Sequence, residues 1–142
     1  MSLATSANGE VWIAPVAYVH DENWNLFWYS EKNARHSHHI AVNQFVAAAI
    51  FDSRASSDDV DGLQIEGLAA EIVAEDLPRI VDLYFRQSFP DENARARWSK
   101  PTESFCDDAP QRFYKLTPVK VYKCDTANTS VDRRLLVQLS AD

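Results

Sequence analysis

Glycine is what this chain lacks. Its 142 residues contain three, Gly9, Gly62 and Gly67. Folds that wrap a phosphate in backbone need glycines in clusters, as in the G-x-G-x-x-G dinucleotide turn or the G-x-x-x-x-G-K-[ST] loop. Neither can be assembled from glycines this far apart. A phosphate bound here has to be held by side chains and a helix end.

The rest of the composition is ordinary. An apolar fraction of 46% and a charged fraction of 25% suffice to bury a core without disulfide or metal staples, and the length fits one domain. That domain is expected to span 1–142, with a short polar tail near 125–142. Fourteen Lys and Arg against 21 Asp and Glu leave a net charge of −7, which repels a nucleic-acid backbone at long range. Cys106 and Cys124 make neither a CxxC pair nor a disulfide framework and read as two reduced thiols. The opening Met1–Ser6 has no basic or apolar signal region, and the runs Val11–Val19 and Phe45–Phe51 are too short for a membrane helix. The expectation is a soluble cytoplasmic protein with no membrane and no nucleic-acid partner.

Most of the chain reads as short strands between turn signals. Ser2–Ser6 and Val11–His20 flank Ala7-Asn8-Gly9-Glu10, a hairpin turn by its Asn-Gly pair. Val11–His20 is apolar on both faces, so both are expected to be covered, the second by another subunit. Pro15 marks an edge or irregularity in that strand. Asn25–Ser30 follows, then a short helix Ala34–Val42 with Asn33 as its N-cap. Phe45–Phe51 is a continuous apolar strand, Asp52–Asp61 a polar loop, and Gly62–Ala74 a long strand. In that strand Leu63, Ile65 and Ala69 point inward and Gly67 marks a bulge. Leu77, Ile80, Val81, Tyr84 and Phe85 give Glu75–Phe89 a helical period, ended by Pro90. Asp91–Asp108 reads as a helical excursion or a lid, Arg112–Cys124 as the last long strand interrupted by Pro118, and Arg133–Leu139 as a short terminal one. Six strands with two or three helices predict a mainly β, α+β fold: a small antiparallel barrel with flanking helices.

Candidate chemistry gathers around the first helix. His36, His38 and His39 lie within four positions, and His36 and His39, three apart on a helix, could share a metal; no further ligand pattern accompanies them, and the metal assignment is none. A solvated helix face is the second reading. Anion binding is the third: Lys32, Arg35 and His36 surround a helix start, where free N–H groups and an arginine fork suit a phosphate. The strand Phe27-Trp28-Tyr29-Ser30 runs into this cluster and offers an aromatic wall for a flat ring.

Several segments together resemble the pyridoxamine 5′-phosphate oxidase-like FMN-binding split-barrel family. They are Leu3-Ala4-Thr5-Ser6 with Gly9, Ala14-Pro15-Val16, Phe27-Trp28-Tyr29-Ser30 through Ala34-Arg35-His36 to Ile40, Gly62–Ala69, the helix ending at Tyr84-Phe85 with Phe89-Pro90, and Arg112–Pro118 with Val121-Tyr122. The resemblance covers about residues 3–139. It implies a six-stranded split β-barrel and a homodimer with FMN at the subunit interface. Arg35 and His36 stand where the family grips the FMN phosphate, aided by Lys32. Ser30, Tyr29 and Trp28 stand beside the flavin, and the backbone of Pro15, Val16 and Tyr18 along it. Ile13, Tyr18 and Cys124 occupy places where the oxidase carries Arg, Lys and Trp, and Arg133 or Arg134 the place of its substrate-binding arginines. The function implied is a flavoprotein oxidoreductase acting on a small molecule, with catalytic residues unassigned. The alternatives are a non-catalytic binding module or a dimeric interaction protein holding another anionic ligand or none. Two further expectations follow: a charge at Val16 splits or unfolds the dimer, and the help of His36 to a phosphate fades as pH rises from about 6 to about 8.

Overall fold

The computed structural model describes residues 1–55, 61–125 and 133–139. The parts of the polar loop at 56–60 and of the polar tail at 126–132 and 140–142 lie outside the described residues. Strands β1 (Ser2–Ala7) and β2 (Glu10–Pro15) form the expected hairpin. Asn8 and Gly9 both take positive φ, 52° and 83°, as a two-residue type I′ turn requires. The remaining strands are β3 (Val19–His20), β4 (Leu26–Glu31), β5 (Phe45–Phe51), β6 (Gly62–Glu71), β7 (Gln111–Cys124) and β8 (Arg134–Val137). All pairings are antiparallel, in the order β2-β1-β5-β6-β7-β4-β3, with β8 also on β7. β4 pairs with the first half of the long β7 and β8 with its last residues. Three helices, α1 (Arg35–Val42), α2 (Leu77–Ser88) and α3 (Glu92–Trp98), and a 3₁₀ turn at Thr102–Phe105 complete the described chain. Among the described residues no helix is long and apolar enough to cross a membrane.

Among the described residues the sheet has eight strands where six were expected, and its path does not close. Part of the difference lies at Pro15. Val11–His20 is not one strand but β2 and β3, which stand at opposite ends of the sheet path. Pro15 has no N–H to continue a ladder. Beyond it, the Val16 N–H donates to the Met1 carbonyl at 2.9 Å, and the Met1 ammonium returns a bond to the Val16 carbonyl at 2.9 Å. The other strand beyond six is β8, which falls within the short terminal strand read at Arg133–Leu139.

Gly67 sits at the expected bulge, where the β6–β7 register shifts between Glu66 and Gly67 and brings Gly67 opposite Pro118. A Cβ there would come within 2.7 Å of both Leu116 Cδ2 and the Thr117 carbonyl, so the close approach of the strands requires glycine. The N-cap of α1 is Ala34, not Asn33, and it makes no side-chain capping bond. Asn33 lies in a turn closed by the Ala34 N–H on the Glu31 carbonyl, which the Ser37 hydroxyl also reaches at 2.8 Å.

Two apolar clusters lie on the two faces of β4 and β7. Leu3, Leu26, Trp28, Ile40, Ile65, Tyr114 and Leu116 fill the barrel side. Phe27, Phe113 and Phe105 meet Leu77, Ile80, Val81, Tyr84 and Phe85 on the other. Those five α2 residues are the ones whose period marked the helix, and Pro78 lies in its first turn. Within 91–108, Phe105 is buried at the centre of the aromatic cluster, 4.6 Å from the Phe113 ring. That segment is a pinned helical excursion.

Candidate functional site

The first turn of α1 leaves the N–H groups of Arg35, His36 and Ser37 without helical partners. Arg35 reaches across to the β1–β2 hairpin. Its guanidinium lies 3.5 Å from the Glu10 carboxylate and 4.8 Å from the centre of the Trp12 ring, half exposed. His36 turns the other way, its Nε2 2.8 Å from the Ser30 hydroxyl. His39 is buried, with Nδ1 3.2 Å from the Thr5 hydroxyl. Lys32 and His38 line a separate groove of about 340 Å³ with Ser37, Gln44, Glu71 and Tyr114. The cluster read from sequence is therefore divided. Arg35 addresses the hairpin, while Lys32 addresses a groove beside β6 and β7. Among the described residues no three His, Cys, Asp or Glu side chains gather around one point.

Burial, and then the nearby His39, push the His36 imidazole below its usual pKa. At neutral pH it offers a hydrogen bond, not a charge, and its protonation is shifted toward acid. The native state thus binds this proton more weakly than the unfolded chain does, so stability falls as pH drops through the usual imidazole range. The melting temperature is expected to decline between about pH 7 and about pH 5, and His36→Gln to flatten that decline. An unchanged slope in the variant would remove His36 as its source.

The aromatic strand does not form one wall. Successive side chains leave a strand on opposite faces, and Trp28 is fully buried in the barrel, stacked on Tyr114 at 5.7 Å. Tyr29 faces the other way, among Tyr84, Phe105 and Phe113, with the Lys100 ammonium 5.4 Å from its ring centre. Ser30 is joined to His36. Pro15 is exposed, and Val16 and Tyr18 pack partly against the barrel core. A charge at Val16 would therefore disturb folding as much as any interface. Burial raises the Tyr18 hydroxyl above its usual pKa. Cys106 and Cys124 are both free and half-buried.

One further concavity was not singled out from the sequence. It is a groove of about 430 Å³ on the outer face of the sheet. Ser2 and Ala4 of β1 pair with Ala49 and Ala47 of β5 to make its floor. Ile13 borders one side; Gln64, Glu66, Tyr122 and Arg134 border the other, with the Arg134 Nε–H donating to Gln64 Oε1 at 2.8 Å. Around it the same face leaves large apolar side chains in water: Val11 at 76%, Ile13 at 62% and Phe45 at 73% exposure. Apolar side chains exposed on one face are what a ligand or partner surface would cover. The signal available beforehand was the period-two run of small residues at Ser2, Ala4 and Ser6 and at Ala47 and Ala49; what was missing was which strands lie side by side.

No protein-family model matches this sequence, and no curated protein matches it. Solved structures do match. A protein of unknown function from Agrobacterium tumefaciens superposes with a TM-score of 0.65 at 15% identity, over 86% of this chain and 49% of that one. This chain thus spans about half of that protein's length. A putative pyridoxamine 5′-phosphate oxidase from Listeria innocua gives 0.58 at 18%, covering 84% and 83% of the two chains. HutZ, the heme storage protein of Vibrio cholerae, gives 0.63 at 16%, covering 82% and 79%. The fold is that of pyridoxamine 5′-phosphate oxidase-like and heme-binding split-barrel proteins: a mainly antiparallel sheet with three helices.

Proposed function

We propose that the chain is an FMN-binding flavoprotein that works as a homodimer and as an oxidoreductase on a small molecule. The observation that carries this reading is the outer groove. Its floor is made of small residues, which leave room for a planar ring over the strands, Gln64 and Tyr122 offer polar groups at its border, and the exposed Val11, Ile13 and Phe45 give a second copy something to cover.

The phosphate falls to Arg35 and the start of α1. The Arg35–Glu10 pair is exposed on both sides, and such a pair contributes about 0–1 kcal/mol. The guanidinium can exchange that carboxylate for a phosphate at small cost. Trp12 and Ile13 leave β2 on opposite faces, so Arg35 and the groove lie on opposite sides of the hairpin within one chain. The reading therefore needs a subunit interface to complete the site. When bound, a flavin supplies hydride transfer from its own ring; the chain grips the phosphate, floors the ring and excludes water.

Titration of FMN, followed by loss of flavin fluorescence, tests the reading. Removing one charge-assisted contact costs about 1.5–3 kcal/mol, so Arg35→Ala is expected to weaken FMN about ten- to a hundred-fold, with Arg35→Lys between the two. Wild-type protein that takes up no FMN would overturn the flavin assignment in favour of a non-catalytic module. Equal affinities across the three proteins would remove Arg35 from the site.

A further inference from the structure

The barrel core stops short at one end. Ile50, Leu63, Val121 and Val137 continue the inner face of β5 to β8 past the packed centre, and they wall a cavity of about 330 Å³. This is at the small end of the range of ligand pockets, about 300–1,000 Å³. It lies on the face of these strands opposite the outer groove.

Its polar groups sit at the rim. Lys123, opposite Leu63 in the β6–β7 ladder, lines the cavity and makes no hydrogen bond or ion pair among the described residues. No carboxylate is among the described lining residues. His20 and Trp24 complete the rim as a stacked pair, rings 6.5 Å apart and 15° from parallel. The His20 Nδ1–H donates to the Asp21 carbonyl at 3.1 Å.

This rim is held in place. The Gln87 side chain of α2 bonds both backbone groups of His20, and the Asp21 carboxylate accepts from the N–H groups of Asn23 and Asn25 and from the Asn25 amide. The turn so fixed holds Trp24 at φ 63°, a conformation that bulky residues avoid and that persists only where the surroundings impose it. The result is an aromatic pair beside an apolar cavity whose lining cation, Lys123, has no counter-charge among the described residues.

We infer that this end of the barrel binds a small amphipathic anion: a monocarboxylate with an apolar body, the body inside the cavity and the carboxylate against Lys123. An apolar pocket with few placed polar groups selects such a ligand by filling the one and pairing the other. The inference does not depend on the flavin reading, because it uses the other face of the sheet.

The probes are the anionic dye 1-anilinonaphthalene-8-sulfonate and the neutral dye N-phenyl-1-naphthylamine, titrated with and without decanoate as competitor. Wild-type protein is expected to bind both, with decanoate displacing both. Lys123→Gln is expected to weaken the anionic dye and decanoate about ten-fold, and Lys123→Glu further, while the neutral dye binds as before. Ile13→Ser, on the outer face, is expected to change none of these affinities. Wild-type protein that binds neither dye, anionic-dye affinity unchanged in Lys123→Gln, or loss of dye binding in Ile13→Ser would each overturn the site. Saturation with FMN should leave these affinities as they are, so failure of the flavin reading and failure of this one are separate results.

Discussion

Ile13→Lys is expected to convert a dimer into monomers at micromolar concentration. Ile13 is 62% exposed in the single chain and borders the outer groove, so an ammonium there costs an isolated subunit little. Covered by a second copy it would be buried without a partner, at a cost of about 2 kcal/mol or more. A two-fold interface repeats each substitution. The combined effect is about 4 kcal/mol, or about a thousand-fold in the dimer constant. Interfaces that hold obligate dimers bury more than about 2,000 Å² in total, and a face carrying Val11, Ile13 and Phe45 is apolar enough to contribute to one. Light scattering on both proteins measures this; a wild type that is already monomeric, or a variant as dimeric as the wild type, would place no subunit on this face.

Trp28→Ala is expected to be the most damaging substitution to the fold. Its side chain is fully buried and stacked on Tyr114 at an interplanar angle of 20°. Truncating a buried tryptophan costs about 3–5 kcal/mol, against a total stability of about 5–15 kcal/mol for a domain. Trp28→Phe should cost far less, for a reason beyond size. The indole Nε1–H has no hydrogen-bond partner among the described residues, and an unpaired buried donor costs about 1–3 kcal/mol that phenylalanine does not incur. Urea midpoints should therefore fall in the order wild type or Phe, then Ala well below. Alanine and phenylalanine variants of equal stability would mean the barrel repacks around position 28.

What the sequence made legible was local and periodic. Asn8-Gly9 named its turn because both residues tolerate positive φ. Leu77, Ile80, Val81, Tyr84 and Phe85 named α2 and its buried face, and Gly67 named its bulge. What it hid depended on partners distant in the chain. Pro15 looked like an irregularity within one strand, but a break and an edge differ only by where the Val16 N–H goes, and it goes to Met1. Trp28 and Tyr29 looked like one wall because they are adjacent, yet the strand period sends them to opposite faces, and both faces of β4 are covered. The cluster of Lys32, Arg35 and His36 was visible as composition. Its division between the hairpin, Ser30 and a second groove was not, since that is set by which strands α1 rests on. The alternating Ser2, Ala4, Ala47 and Ala49 become a floor only once β1 and β5 are side by side.

The central claim, a flavin held between two copies of this chain, is tested most directly by sedimentation with detection in both the protein band and the visible flavin band. The account predicts that FMN moves with a single species of about twice the 16.1 kDa of one chain, at one flavin per subunit, and that Ile13→Lys releases flavin and separates the subunits together. Flavin travelling with a monomer, or a dimer sedimenting with no flavin in an excess of FMN, would contradict it.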